Sequence, residues 1–212
     1  MDLKLSSKAA MVSDASAGIG RSIAETLGSK DARLMVHRRD RERPKKLAAE
    51  IMSAGSPQLP WIAQDFAQPC SAASIADNAS MTLSSIDILV DNAGRSRFVN
   101  RDAFDAASRD GMTLSLGNHR RISRALLPQM IDHTSRPVIS ITGLVEPKEL
   151  NAAAPAKEAL TVWSKALEHQ LGPHGITVNC IRPSLIESKQ LAPMQHRSVA
   201  RASRTRDVQV PR

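Results

Sequence analysis

The feature that most restricts this chain is an alternation of short aliphatic runs with longer segments of helical periodicity. The runs are Ala9–Val12, Arg33–His37, Trp61–Ala63, Ile86–Val90, Pro137–Thr142 and Ile176–Ile181. Between them, Ile19, Ile23 and Leu27 recur four apart, and Pro44–Met52 turns Leu47, Ile51 and Met52 to one side. Further helices are predicted over Asp102–Arg109, Met112–Ile131 and Ala152–Leu171. Strands that alternate with helices form βαβ units and a parallel sheet. The expectation is an α/β protein: one Rossmann-type doubly wound sheet of six strands, with helices on both faces. Such sheets bind ligands beyond the carboxyl ends of their strands. The loops after Val12, His37, Ala63, Val90, Thr142 and Ile181 are therefore where chemistry is expected.

Composition narrows the reading. With 42% hydrophobic residues in 212, the chain can bury a core, which excludes wholesale disorder. No apolar run reaches the ~18 residues of a membrane span. The amino-terminal apolar stretch is too short for a secretory signal. Cys70 and Cys180 make neither a disulfide framework nor a zinc spacing, so the cytoplasm is the expected address and no metal is expected. The net charge divides unevenly. Lys189, Arg197, Arg201, Arg204, Arg206 and Arg212 against Asp207 give the last residues +5, leaving +3 of the formal +8 to residues 1–188. Residues 1–188 read as the folded domain and 189–212 as a basic, poorly structured tail. A charge so placed is more simply solvated than used on nucleic acid or a membrane. The chain contains no tyrosine, which excludes any mechanism needing a phenol as acid or base.

Gly18 and Gly20 stand where the first strand turns into the first helix. Glycines there let backbone amides approach a phosphate at a helix N-terminus, although a plain helix start uses them equally. The second strand ends in His37, Arg38 and Arg39. An acid at that point accepts ribose hydroxyls; paired arginines instead meet a 2′-phosphate or stand solvated.

Ser13-Asp-Ala-Ser-Ala-Gly18-Ile-Gly20, Asp65-Phe66, Asp91-Asn-Ala-Gly94 and Ile176-Thr-Val-Asn179 with Pro183 together resemble the classical short-chain dehydrogenase/reductases, over about residues 5–190. The resemblance implies NAD(P)-dependent oxidation or reduction of a small carbonyl or alcohol. It places Ser13, Ser16, Gly18, Ile19 and Gly20 along the pyrophosphate and nicotinamide. Arg38 and Arg39 select NADP over NAD, Asp65 and Phe66 flank the adenine, Asn92, Ala93 and Gly94 hold the adenosine side, and Lys157 holds the nicotinamide ribose.

The sequence also departs from that family. Asp14 replaces the first glycine of the turn; a carboxylate beside a pyrophosphate is repelled by ~1 kcal/mol at ~4 Å in water, and more where water is excluded. Of the family's Asn, Ser, Tyr and Lys, only Lys157 remains: Ser115, Gly143 (with Thr142 beside it) and Ala153 stand at the other positions. A positioned general acid contributes about 10²- to 10⁴-fold, so weak or absent turnover is expected. Lys157 as substitute acid, and Thr142 or Ser140 as carbonyl-orienting groups, are the substitutes the sequence offers; an exposed helix lysine and plain sheet residues are the simpler readings. His119, His169 and His174 read as solvated. Ser184 replaces the glycine after Pro183, and the chain is short at its carboxyl end, so the family's seventh strand is expected to be missing. Three functions compete: an NADP-dependent oxidoreductase, a nucleotide-binding or scaffold protein that lost its chemistry, and, on charge alone, a nucleic-acid binder. A homodimer through the helices Met112–Ile131 and Ala152–Leu171 is the family's usual assembly.

Overall fold

The structure, a computed structural model, describes residues 4–38, 42–53, 60–63, 71–94, 104–133, 137–143 and 150–183; of Arg38, Glu42, Arg43, Pro44, Trp61, Ala63 and Phe104 it describes the backbone alone. The chain divides into two units, Met1–Arg182 and Pro183–Arg212, and every element below belongs to the first. The expected tail, 189–212, lies outside the described residues.

Six strands form one sheet: β1 (Ala9–Ser13), β2 (Arg33–Arg38), β3 (Trp61–Ala63), β4 (Ile88–Asp91), β5 (Pro137–Ile141) and β6 (Thr177–Ile181). Their order is β3-β2-β1-β4-β5-β6, and every pair is parallel. The order reverses between β1 and β4, the switch point where such sheets open a crevice. The helices are α1 (Gly18–Gly28), α2 (Glu42–Ser53), α3 (Ser71–Leu83), α4 (Phe104–Met112), α5 (Asn118–Asp132) and α6 (Ala154–Leu171).

Strand alternation divides the core in two. Ala10, Val12, Leu34, Val36, Ile88 and Val90 pack on one face with Ala24, Leu47 and Ile51 from α1 and α2. Met11, Met35, Leu89 and Val138 pack on the other with α3, α5 and α6, through Ile75, Ile122, Leu126, Met130 and Leu167. Both faces of a parallel sheet are thus covered, as such sheets require.

Two expectations need correction. Helix α3 has no counterpart in the sequence reading. Its apolar stripe is built from small residues, Ala72, Ile75, Ala76, Ala79 and Leu83, which pack closely against the sheet but give a weak hydrophobic signal. The predicted break between residues 109 and 112 is also absent, for α4 runs through Gly111 into a π-helical turn, Thr113–Gly117, and on into α5. Gly111 is there for space, since a Cβ on it would collide with the Ala152 carbonyl at the approach to α6. Among the described residues no helix is long and apolar enough to cross a membrane, and no group of three His, Cys, Asp or Glu stands where it can hold a metal ion.

Candidate functional site

The site is assembled at the carboxyl ends of β1, β4 and β5. Ser13, the last residue of β1, is fully buried. Its hydroxyl donates to the Val90 carbonyl at 3.3 Å and accepts the amides of Asn92 and Ala93, each at 2.9 Å. Asn92 answers by donating through Nδ2 to the carbonyls of Ser13 (3.0 Å) and Asp14 (3.1 Å). These bonds tie the ends of β1 and β4 across the switch point. Ser13 and Asn92 therefore shape the crevice with groups already spent on the chain itself. Gly20 is confined by the same arrangement: a Cβ there would strike the Asn92 amide and the Asp14 carbonyl.

Around this brace the turn has two faces. Asp14 adopts φ 51° and Gly18 φ 54°. Gly18 opens outward, with nothing within 4 Å of where its Cβ would be. Helix α1 begins beside it with Ala17 at the N-cap, no side-chain cap and no acid in the first turn. A helix start so uncovered favours an anion, and in this respect the turn fits the pyrophosphate that the resemblance assigns to it. Asp14 is the opposing charge. Ser16 is half-buried in the turn, and Ile19 packs inward on the α1–α2 core rather than standing free. Arg38 closes β2, in register with Ala63 of β3. Arg39, Asp65 and Phe66 lie outside the described residues.

Lys157 comes to this point from the first turns of α6. It is half-buried, and its ammonium donates to the Ile141 carbonyl at 2.5 Å and the Ala93 carbonyl at 3.4 Å. Gly94 lies against it: a Cβ there would stand 2.8 Å from Lys157 Cε and 3.2 Å from Ser115 Oγ. Lys157, Gly94 and Ser115 are thus brought together. Burial lowers the Lys157 pKa to about 8, with the charges of Asp91 and then Asp14 holding it up against further descent.

The neighbouring positions carry little chemistry. Gly143 leaves room, for a Cβ on it would lie 3.6 Å from Lys157 Cβ. Ala153 is buried one turn before Lys157, its amide donating to Asn151 Oδ1 at 2.9 Å. Thr142 gives both its amide (2.9 Å) and its hydroxyl (3.2 Å) to the Ile181 carbonyl, so its side chain serves the β5–β6 junction. Ser140 is fully buried and bonded to Ser164 of α6 at 3.1 Å, which removes it as a carbonyl-orienting group. Ser115 sits buried in the π-turn, its hydroxyl without a hydrogen-bond partner among the described residues.

The reading of His119 as solvated is wrong. Its ring is fully buried, with Nδ1 2.9 Å from the Ser115 carbonyl. The π-turn leads into α5 with Ser115, His119 and Ser123 on the buried side, so His119 faces inward. Burial and then the charge of Lys157 hold its pKa near 3, so it is neutral. His169 and His174 are exposed as expected. Asp91, which has no separate role in the motif reading, ends β4 with its carboxyl fully buried, and Ser123 Oγ donates to Oδ2 at 3.4 Å.

This geometry has relatives. A family model for short chain dehydrogenases matches residues 8–198. The 3-oxoacyl-(acyl-carrier-protein) reductase FabG of Salmonella typhimurium is 32% identical over 190 residues, 85% of this chain and 74% of the relative. The L-sorbose reductase of Gluconobacter frateurii, solved with NADPH and L-sorbose, superposes with a TM-score of 0.85 at 26% identity, over 90% of this chain and 74% of that one. RhlG of Pseudomonas aeruginosa, solved as an NADP complex, gives 0.82 at 26% identity over 91% and 78%. With the family model spanning residues 8–198, and so all six strands, the chain belongs to the short-chain dehydrogenase family.

Proposed function

We propose that this chain is a cytoplasmic, homodimeric NADP-binding member of its family whose chemistry on small carbonyls or alcohols is severely impaired. One observation carries the reading. The Lys157 ammonium stands at the carboxyl ends of β4 and β5, while Gly143 and Ala153 beside it offer no hydroxyl and the whole chain offers no phenol. The open, uncapped start of α1 supports the berth for a pyrophosphate, and the arginines at the end of β2 support a preference for the 2′-phosphate. Two structural relatives are solved with NADPH or NADP.

When bound, the dinucleotide supplies a hydride at its nicotinamide. The chain's part would be to seat it: Gly18 leaves the backbone open to the phosphates, Gly94 leaves space beside Lys157, and Lys157 would hold the ribose. Among the described residues at this point, Lys157 is the side chain whose charge suits it to give a proton to a carbonyl oxygen. That defines a second reading, slow turnover with Lys157 as acid, favoured by a pKa of about 8, near working pH. Thr142 does not supply the orienting hydroxyl in either reading, because it is bonded to Ile181.

Titration of NADPH and NADH by fluorescence, then a panel of carbonyls followed at the nicotinamide absorbance, separates the cases. NADPH binding without turnover is the expected result. Turnover that disappears in Lys157→Met selects the second reading. Binding of neither nucleotide leaves a scaffold of this fold and removes both.

A further inference from the structure

The face of the sheet that carries Met11, Leu89 and Val138 is apolar only along part of its length. At its carboxyl end the same alternation brings Ser13, His37, Asp91, Ser140 and Thr142 inward, and all five are buried. The covering helices change with it. In α5 and the π-turn before it, Ser115, His119 and Ser123 precede the apolar stripe of Leu126 and Met130; in α6, Lys157 precedes Leu160 and Leu167.

Two opposite charges are thereby placed in one interior. Asp91 uses Oδ2 on Ser123, and Oδ1 has no hydrogen-bond partner among the described residues. Lys157 rests on the carbonyls of Ile141 and Ala93, which follow the Asp91–Ser140 register pair at the carboxyl ends of β5 and β4. An ammonium turned inward onto neutral carbonyls is costly unless a counter-charge lies near. Asp91 is that counter-charge from beneath; Asp14 is the second, from the turn after β1.

We propose that Asp91 is a positioning residue: its carboxylate draws the Lys157 ammonium onto the Ile141 and Ala93 carbonyls and keeps it charged there, so that the charge of Asp91 sets the chain's hold on the ribose end of a dinucleotide. Only the last clause rests on the dinucleotide-binding reading. The groups facing this pair are Asp14 from the first turn, His119 and the neutral Ser123 from α5, and, acting through His119, His37 from β2. His119 stays uncharged over the working range and does not compete. Burial pushes the Asp91 carboxyl up to about 7, against the pull of Lys157 and Ser123. The two groups therefore exchange control of the site close to neutrality.

The test begins with the full chain and no nucleotide. Lysine side chains labelled with carbon-13 are followed by NMR against pH, and the Lys157 signal is identified by its loss in Lys157→Arg. The wild-type midpoint is expected near 8. In Asp91→Asn, an isosteric change, it is expected to fall by about one unit or more, a tenfold change in proton affinity. Ser123→Ala lies away from the nucleotide and weakens the ionised carboxylate, so it should shift the midpoint the same way by less; it decides the matter if Asp91→Asn does not fold. A midpoint unchanged or raised overturns the proposal. NADPH is then titrated at about pH 6 and about pH 7.5, where a tenfold step per unit should carry the ratio of variant to wild-type Kd from near one to about threefold. An equal ratio at both overturns the ribose clause alone. Wild-type protein that binds no NADPH removes the functional reading, while the NMR midpoint still judges Asp91.

Discussion

Asp14 holds a left-handed backbone conformation at φ 51°, where an aspartate is tolerated and a glycine is at ease. Asp14→Gly should bind NADPH about fivefold more tightly by calorimetry, the equivalent of ~1 kcal/mol of relieved repulsion. That conflict was legible in the sequence, because the glycine turn fixes which position needs the unusual φ. His119 was not, because its burial depends on how the π-turn winds. Its pKa is about 3 in the fold against 6.5 when free, and a depressed value means its contribution to stability is complete above 6.5 and lost as pH falls toward 3. Asp91, raised from 3.8 to about 7, acts oppositely, its contribution being lost as pH rises through 7. Comparison with His119→Asn cancels the Asp91 effect: the melting temperature of wild type should drop more steeply below pH 6.5 than that of the variant. At the nicotinamide end, Gly143→Ser has room, whereas Ala153→Tyr must make its own in a buried position. The double variant should raise carbonyl reduction by ~10²-fold or more over the parent if it folds, with serine alone doing little. A rate unchanged in a folded, NADPH-binding double variant would place the defect elsewhere.

At the level of elements, the strands were easier to read than the helices. Ile88–Val90 is a continuous aliphatic run, and Val138–Ile141 is broken by Ser140 alone, because both faces of a parallel strand are covered. Helix α3 was missed because alanine, which lets a helix lie close to the sheet, contributes little contrast to a hydrophobic pattern. Between the two helices expected over Asp102–Arg109 and Met112–Ile131, the chain stays helical, and Gly111 there is a contact. Gly111→Ala should leave the helix intact locally yet lower stability by about 1–3 kcal/mol in urea denaturation, because the methyl has the Ala152 carbonyl in its way. A stability equal to wild type would mean that α4 can slide away from α6 at little cost.

Across the whole molecule, the alternation of strands with helices carried the doubly wound parallel sheet, while the order β3-β2-β1-β4-β5-β6 is what the structure adds. What the sequence left unstated is how the two wings are fastened, since Ser13 meets its partners some eighty positions along the chain. Assembly is a further expectation at this scale. Val162, 71% exposed on α6, lies on the helix proposed to face a second copy, so light scattering should give a dimer and Val162→Glu a monomer. The Ser13 fastening has a consequence for how the protein comes apart. Because the amides of Asn92 and Ala93 are clasped by a hydroxyl at the seam between the wings, deuterium reaches them only when that seam parts. Their exchange should be among the slowest in the chain and should keep time with global unfolding rather than with any local fraying.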